Sequence, residues 1–420
     1  MFALVDGKNF YVSVECLFRP SLIGKPVVVL SGNDGCVVSR SDEAKLLGIK
    51  MGQPFFQLRE HVNRHGLVMC SSNFSLYADM SQRVATILRG TATRAVQYSI
   101  DESFLCWAGV DSDLDAYGRR VRARVLKETG LQVGVGIGPT KTLAKAASFA
   151  SKKWPKTGGV VDLSDPARQR RLLSLPEMTV DEVWGIGPRN SERLKEMGIS
   201  LAIQLADYDH KTLRRMFSVN VERTARELCG ERCFDLDEGP EPKQMIACTR
   251  SFGERVHELP PLAEAVASYA GRAAEKLRAQ RQFCQVVQVY IRTGAFTTGA
   301  EHYSRTATVP LPYPSSDTRD IIAAAQAGLR AIYIPGPAYA KAGVILMEFV
   351  GAGEHTADLF APAPRPNSER LMAVVDAINR REGRNTIRTA RTVGEKTWSM
   401  KRDRLSQRFT TSWSELLTVS

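Results

Sequence analysis

Short apolar runs alternate with amphipathic segments along the first 150 residues of the chain. The runs FALVD (2–6) and KPVVVL (25–30) each have the length of a buried strand. The second run is followed by a turn, GNDG, and by a returning strand, CVVSR (36–40). Apolar residues then recur at helical spacing over 75–90 and over 140–153. The pattern predicts strands and helices that pack together in an α+β domain.

The pattern changes twice further along the chain. Residues 168–240 have the spacing of several short helices, and an acidic, proline-containing link (237–243, DEGPEPK) follows them. Strands and two helices recur over 244–350, which is typical of another α+β module. A chain of 420 residues exceeds the usual size of one core, so we expect about three or four domains. The predicted fold class is a multidomain α+β protein.

The charge balance favours a polyanionic partner. Lys and Arg number 57 against 45 Asp and Glu, and residues 361–420 alone carry half of the net charge of +12. No apolar stretch has the length of a membrane span, and the N-terminal segment combines a strand pattern with Asp6, unlike a signal peptide. We therefore expect nucleic acid as the partner and no contact with a membrane.

The eight cysteines are spread singly along the chain, with no CxxC pair and no histidine at zinc-site spacing. This distribution indicates reduced cysteines that pack in the interior of a cytoplasmic protein.

Three acids form the first candidate site. Asp6 ends the first predicted strand, and Asp101 with Glu102 lies at the turn of a predicted hairpin over 95–107. If the first strand pairs with that hairpin, three carboxylates meet at one edge of a sheet, and oxygen ligands of this kind favour Mg²⁺. Two such ions would activate an attacking oxygen and neutralise a leaving pyrophosphate. Any one of these acids alone is better explained as a solvated turn or strand-end residue, whereas the three together favour the metal site.

Basic residues near a helix start form a second candidate site. Ser39, Arg40 and Lys45 surround the start of a predicted helix, where free amides attract phosphate, and Lys152 ends the helix that follows a glycine-rich strand. Lys45 alone is better explained as an exposed helix lysine. The glycine-rich segment GVGIGPTKT resembles a phosphate loop only superficially, because Thr140 stands where such a loop has glycine. We therefore expect its glycines, Gly134, Gly136 and Gly138, to allow close backbone packing.

A third candidate is the segment VWGIG (183–187). Gly185 and Gly187 flank one apolar residue between two short helices, and Arg189 follows. Such a hairpin can hold a DNA phosphate on its backbone amides without reading bases. A plain tight turn is the alternative, and the neighbouring basic residues favour the helix-hairpin-helix.

Several segments together resemble the Y-family translesion DNA polymerases, and within them the UmuC branch, the catalytic subunit of bacterial DNA polymerase V. The resemblance extends over essentially the whole chain, and the segments that carry it are VDGKNFYVSVE, KPVVVLSGNDGCVVSRSDEAKLLGIKMG, SIDESF, VGVGIGPTKTLAKAASFASKK and VWGIG. It implies an error-prone polymerase of the SOS DNA-damage response that copies damaged template bases.

The resemblance also implies a right-hand architecture. The expected domains are a palm (1–11 and 74–167), small fingers (12–73), a helical thumb with the helix-hairpin-helix (168–240), an α+β little finger (244–350) and a C-terminal partner-binding extension (351–420).

By position in the family's motifs, Asp6, Asp101 and Glu102 match the metal ligands, and Gly7 would add its carbonyl oxygen. Tyr11 matches the steric gate, an aromatic ring beneath the sugar that leaves no room for a 2′-hydroxyl. The resemblance places Phe10, Ser39, Lys45 and Lys152 on the side of the triphosphate.

Expected partners are primer-template DNA, a deoxynucleotide, a UmuD-like cleaved dimer and a RecA filament, in a nucleoid-associated setting. The family also carries a sliding-clamp peptide that begins with Gln. Here the corresponding segment is TADLF (356–360), which lacks the glutamine and keeps Leu359 and Phe360. Binding of the clamp through these two residues is therefore a hypothesis.

Two other classes of function stay open on the residues alone. A nucleotide-hydrolysing motor would use GVGIGPTKT, but it would also need a Gly-Lys pair and a second acid cluster. A non-catalytic DNA-binding scaffold would need only the hairpin at 185–187 and the basic tail, and it gives no reason for the three acids.

Overall fold

The computed structural model describes residues 1–110, 113–236, 243–294, 302–351, 353–354, 360, 362–392 and 398–416. The chain divides into two compact units. The first contains residues 1–31, 35–239 and 404–420, and the second contains 32–34 and 240–403. The segment 351–420, expected as one extension, is thus divided between the two units at residue 403.

The first unit contains eight strands and eleven helices among the described residues. The strands are β1 (Phe2–Gly7), β2 (Val27–Leu30), β3 (Val37–Arg40), β4 (Val68–Ser71), β5 (Arg94–Gln97), β6 (Glu102–Cys106), β7 (Val133–Gly138) and β8 (Val160–Asp162). The helices are α1 (Phe10–Phe18), α2 (Asp42–Leu46), α3 (Arg59–His65), α4 (Phe74–Arg89), α5 (Leu114–Thr129), α6 (Lys141–Lys153), α7 (Pro166–Leu173), α8 (Pro188–Glu196), α9 (Ala202–Ala206), α10 (His210–Met216) and α11 (Val219–Leu228).

Strand β1 occupies the centre of a five-stranded sheet with the order β5-β6-β1-β7-β8. It pairs antiparallel with β6, which confirms the expectation that the first strand joins the acidic hairpin. Successive side chains of a strand point to opposite faces. Ala3 and Val5 belong to the core that includes residues of α4 and α5, whereas Phe2 and Leu4 share a cluster with Ala144 of α6. Asp6 therefore lies on the face covered by α6.

The glycines of β7 allow α6 to lie directly on the sheet. A Cβ atom on Gly136 would lie 2.1 Å from the backbone nitrogen of Ser148 and 2.3 Å from the carbonyl oxygen of Ala144. Close backbone packing, predicted for the glycines of this strand, is confirmed. The start of α6 is capped by the side chain of Thr140, which accepts a hydrogen bond from the Leu143 amide at 3.2 Å.

A second, three-stranded sheet has the order β3-β2-β4. Strand β3 returns antiparallel to β2, as the turn at 32–35 predicts, whereas β4 runs parallel to β2. One face of this sheet packs with residues of α1 and α4, and the other face with Ala44 of α2 and its flanking loops. The five short helices α7–α11 form a separate cluster with the Ala-rich face of α6.

The second unit is a four-stranded antiparallel sheet against two helices. Alanines line the buried face of the longer helix, which allows it to lie close to the sheet. The elements are β9 (Ile246–Val256), α12 (Leu259–Ala279), β10 (Gln282–Thr293), β11 (Ser304–Ser315), α13 (Thr318–Ile332), β12 (Tyr339–Gly351) and a further helix, α14 (Ser368–Arg381). The strand order in the sheet is β11-β10-β12-β9. Arg278 of α12 anchors α14 through two 2.7 Å hydrogen bonds to the carboxylate of Asp376.

In the part of the chain that the structure describes, no helix is both long enough and apolar enough to cross a membrane.

Candidate active site

The three acids lie together at one edge of the five-stranded sheet. In the pairing of β1 with β6, Asp6 stands directly opposite Glu102, so their side chains share one face with Cβ atoms about 4.5–5.5 Å apart. The amide of Gly7 donates a 2.9 Å hydrogen bond to the carbonyl oxygen of Asp101. A Cβ atom on Gly7 would lie 3.5 Å from that of Asp101, which is an ordinary contact, but only 3.0 Å from Cδ2 of Phe10, so the glycine makes room for the Phe10 ring.

Two lysines of α6 neutralise the facing carboxylates. Lys152 binds Asp6 through its Nζ atom. Lys145 Nζ donates to both oxygens of Glu102 at 2.8 and 2.9 Å. Burial raises the pKa of Asp6 to about 7, although Lys152 opposes this shift. Burial would also raise the pKa of Glu102, but the hydrogen bonds and charge of Lys145 outweigh it and the pKa is lowered.

Lys145 is a site residue that the sequence reasoning missed. Its Nζ atom lies 4.6 Å from the centre of the Tyr98 ring, in addition to its contact with Glu102. The available signal was its spacing from Lys152: residues seven apart lie on the same face of a helix. The sequence alone does not single out Lys145 among the lysines of α6, because it does not give the register of that helix on the sheet.

The donor set is one that a divalent cation of the magnesium type prefers, since it consists of carboxylate and carbonyl oxygens only. Within the described ranges, no three His, Cys, Asp or Glu side chains are arranged so that they could hold a metal ion. In the conformation described, Lys152 and Lys145 hold Asp6 and Glu102. The three acids and Gly7 supply the oxygen ligands that such an ion prefers, and they lie at neighbouring strand ends. Coordination requires Lys152 and Lys145 to release the carboxylates.

The candidate steric gate, Tyr11, lies on α1 directly after the acid-bearing strand. Its ring stacks on that of Tyr77 of α4, with centroids 4.5 Å apart and an angle of 17° between the planes. Tyr11 is partly exposed, whereas Tyr77 is completely buried. Phe10 is also buried and packs against Gly7, so its ring is part of the wall of the site.

The predicted phosphate-side residues have different environments. Lys45 donates to Asn9 Oδ1 at 2.8 Å and to Asp42 Oδ1 at 2.9 Å, in an exposed polar cluster at the start of α1. Ser39 is buried with its hydroxyl 3.4 Å from the Asn9 carbonyl oxygen. Arg40 donates to the backbone carbonyl of Ile49 and thus contacts the loop after α2. Lys45 and Ser39 are therefore brought to the start of α1, and Lys152 to the acids.

The segment predicted as a helix-hairpin-helix turns at Gly185, whose φ of +88° favours glycine. Ile186 is buried between it and Gly187, which precedes α8, and Arg189 is exposed on the first turn of that helix. The neighbouring Trp184 donates from its indole nitrogen to the Tyr98 hydroxyl at 3.1 Å. This contact joins the hairpin to the acid-bearing turn.

A buried carboxylate lies at the start of α6, in the segment that resembles a phosphate loop. Glu227 of α11 is fully buried and accepts hydrogen bonds from the Thr142 amide at 2.9 Å and from its hydroxyl at 2.7 Å. Its other oxygen accepts from the amides of Cys233 and Phe234. Because the Glu227 carboxylate already accepts from these donors, this helix start does not resemble a nucleotide-binding loop. The hypothesis of a nucleotide-hydrolysing motor depended on a phosphate site in this segment, so the structure does not support it.

The clamp peptide candidate lies largely outside the described residues. Leu359 belongs to that part, whereas Phe360 is described and has 96% of its surface exposed.

Comparison with known protein families identifies three matching regions. Residues 5–149 match the impB/mucB/samB family, residues 243–359 match the C-terminal domain of that family, and residues 369–419 match a domain of unknown function, DUF4113.

Two relatives with nearly half of their residues identical match almost the whole chain, and a third matches about half of it. Protein UmuC of Salmonella typhimurium strain LT2 is 48% identical over 423 residues and covers 100% of both chains. Protein SamB of Salmonella typhimurium is 48% identical over 421 residues, or 99% of each chain. DNA polymerase IV 1 of Bacillus subtilis strain 168 is 33% identical over 232 residues, 54% of each chain.

Among solved structures, the chain resembles a Y-family DNA polymerase chimera, Dbh-Dpo4(243-245)-Dbh, with a TM-score of 0.64 and 20% identity. The alignment covers 84% of this chain and 100% of the other. An insertion ternary complex of Dbh DNA polymerase aligns with a TM-score of 0.51 and 20% identity, with the same coverage. The predicted right-hand α+β fold is thereby confirmed.

Proposed function

The chain belongs to the impB/mucB/samB family, whose members include UmuC, and from that premise we propose that it is an error-prone translesion DNA polymerase of the SOS response. Opposite damaged template bases, the 3′-hydroxyl of a primer would lose its proton and attack the α-phosphate of a deoxynucleoside triphosphate, and the bond between the α- and β-phosphates would break to release pyrophosphate. The observation that carries the proposal is the position of Asp6 opposite Glu102, beside Asp101, at one edge of the sheet.

Two Mg²⁺ ions would be held by these three carboxylates and the carbonyl oxygen of Gly7. When bound, the ions supply Lewis-acid stabilisation of the charge that develops during phosphoryl transfer. Below about pH 7 the Asp6 carboxyl group must first lose its proton, because burial raises its pKa to about 7.

The side chains around the acids have separate roles in this proposal. Once released from Asp6, Lys152 is placed to contact the phosphates of the nucleotide, and Lys45 approaches them from the start of α1. Tyr11 lies beneath the sugar and excludes a 2′-hydroxyl. The hairpin amides around Gly187, with Arg189, hold a phosphate of the DNA backbone without regard to sequence.

The family resemblance supports further partners: a UmuD-like cleaved dimer, a RecA filament and a sliding clamp bound through Leu359 and Phe360. The basic tail supports a sequence-independent grip on DNA, and we propose that the protein acts in the cytoplasm in association with the nucleoid.

Primer extension tests the proposal. A labelled primer on an abasic template is incubated with Mg²⁺, dNTPs and the full chain, alone and with the accessory dimer and the recombinase filament. We expect extension by the wild type and its loss in Asp101→Asn. Asp115→Asn, an acid of α5 that pairs with Arg119 on the surface, is the matched control and should extend normally.

Circular dichroism establishes that Asp101→Asn is folded. Full turnover by this variant would refute the metal-ligand role, and failure of the wild type under every condition would refute the polymerase proposal.

A further inference from the structure

A C-terminal segment, Arg404–Phe409, packs against the part of the first unit that carries Tyr11. The carbonyl oxygen of Arg404 accepts a 3.0 Å hydrogen bond from the amide of Ser71, at the end of β4. The amide nitrogen of the Asn73 side chain donates to the carbonyl and hydroxyl oxygens of Ser406, at 3.2 and 3.0 Å. Asn73 also caps α4, so the segment is held at the start of that helix.

The same segment contacts α1. The ring of Phe409 stacks on that of Phe18, with centroids 4.9 Å apart and planes 5° from parallel, and Phe409 is buried. Phe409 belongs to the hydrophobic cluster that includes residues of α1 and α4. The segment therefore bridges the two helices on which Tyr11 and its stacking partner lie.

A buried carboxylate connects the segment to the candidate gate. Glu15 of α1 is fully buried and accepts from Ser406 Oγ at 2.9 Å, from the Tyr77 hydroxyl at 2.7 Å and from Arg19 Nη2 at 2.6 Å. A buried charge is stable only while such donors are present. Burial and the neighbouring Glu15 raise the pKa of Tyr77, so its hydroxyl remains a donor to this carboxylate.

Tyr77 transmits this arrangement to Tyr11, because the two rings stack at 4.5 Å. Tyr11 and Glu15 are four residues apart on α1 and therefore lie on the same face of the helix. The position of the Tyr77 ring is fixed by one hydrogen bond at its hydroxyl and by packing at its face.

We propose that Ser406 positions the gate residue Tyr11 through the buried carboxylate of Glu15, and so sets how strictly the polymerase rejects ribonucleotides. The inference rests on the proposed function, and it assigns Ser406 a positioning role, since the serine does not touch the nucleotide. Removing the Ser406 hydroxyl leaves Glu15 one donor short and loosens the stacked pair.

Single-nucleotide insertion kinetics with the full chain test the inference, with dNTP and rNTP compared on the same primer-template. For Ser406→Ala we expect the ratio of kcat/KM for dNTP to that for rNTP to fall by about three- to tenfold. The change should arise from better use of rNTP, with kcat/KM for dNTP nearly unchanged. The matched control is Ser414→Ala, an exposed serine of the same tail.

Tyr77→Phe removes the other hydroxyl that donates to Glu15. In the double variant with Ser406→Ala, we expect the dNTP to rNTP ratio of kcat/KM to fall by a smaller factor than the product of the two single-variant factors. Hydrogen exchange of residues 10–18 gives a second readout, with faster exchange expected in Ser406→Ala and in a chain ending at 403.

The outcomes separate the inference from the proposed function. If Ser406→Ala is as selective as Ser414→Ala while Tyr11→Ala loses its discrimination against rNTP, the positioning role of Ser406 is wrong. The proposal that the protein is a polymerase is then unaffected. Unchanged selectivity in Tyr11→Ala overturns both the gate assignment and this inference. Equal loss of dNTP and rNTP insertion in Ser406→Ala indicates a merely structural role and also overturns it.

Discussion

A methyl group at position 136 would test how α6 is held on the sheet that carries the acids. In Gly136→Ala the new Cβ atom would lie 2.1 Å from the Ser148 nitrogen, 2.3 Å from the Ala144 oxygen and 2.7 Å from the Ala147 carbonyl carbon, where ordinary contact begins at 3.4 Å. All three atoms belong to the backbone of α6, so no side-chain rotation relieves the contact. The helix must retreat by about 1 Å.

Overpacking that forces backbone shifts costs about 1–3 kcal/mol. Since three backbone atoms are involved, we expect the upper end, about 3 kcal/mol of unfolding free energy. Urea unfolding of the chain, followed by tryptophan fluorescence, measures the change, since four of the five tryptophans lie in the first unit. Retreat of the helix also moves Lys152 away from the position in which we propose that it contacts the phosphates of the nucleotide, so primer extension should fall in parallel.

Gly187→Ala is the control for this measurement, because a Cβ atom there meets nothing within 4 Å and the backbone φ is −81°. It should change the stability by less than about 0.5 kcal/mol. If Gly136→Ala were as stable as this control, the packing argument for the β7 glycines would be wrong.

Four further predictions concern the site and its partners. Tyr11→Ala should increase ribonucleotide insertion in single-nucleotide kinetics, and unchanged sugar selectivity would contradict the gate assignment. Because burial raises the pKa of Asp6 to about 7, protons compete with Mg²⁺ below that pH; the Mg²⁺ concentration for half-maximal extension should be higher at pH 6 than at pH 8, and equal values would exclude the competition. DNA affinity should fall steeply with salt, and Arg189→Ala should reduce the slope of log affinity against log salt by about one; a slope equal to that of the wild type would show that Arg189 contacts no phosphate. Replacing Leu359 and Phe360 together by Ala should reduce retention on immobilised sliding clamp, and equal retention would reject the clamp peptide.

The sequence was sufficient for the features that depend on local patterns. The strand that ends in Asp6 and the hairpin around Asp101 predicted their pairing, because both segments have the length and apolar character of strands. Likewise, Gly136 was interpreted as a close-packing residue because the loop after it lacks the glycine of a phosphate loop.

Features that depend on long-range packing could not be derived in the same way. Lys145 contacts Glu102 only because α6 lies on the sheet in one particular register. The hydrogen bond from Ser406 to Glu15 joins residues 391 positions apart, and the segment around Ser406 has no helical or strand periodicity that would predict where it packs.

The return of the chain to the first unit at residue 404 has a consequence for proteolysis. The main segment of the second unit, residues 240–403, is connected to the first unit at both of its ends, at 239–240 and at 403–404. A single cut at 243–245, before β9, would therefore leave the C-terminal fragment attached to the first unit by the buried Phe409 and its neighbours. Nicked protein should co-migrate with intact chain on a native gel and separate only in denaturant, whereas a chain ending at 403 should shed the C-terminal fragment after the same cut.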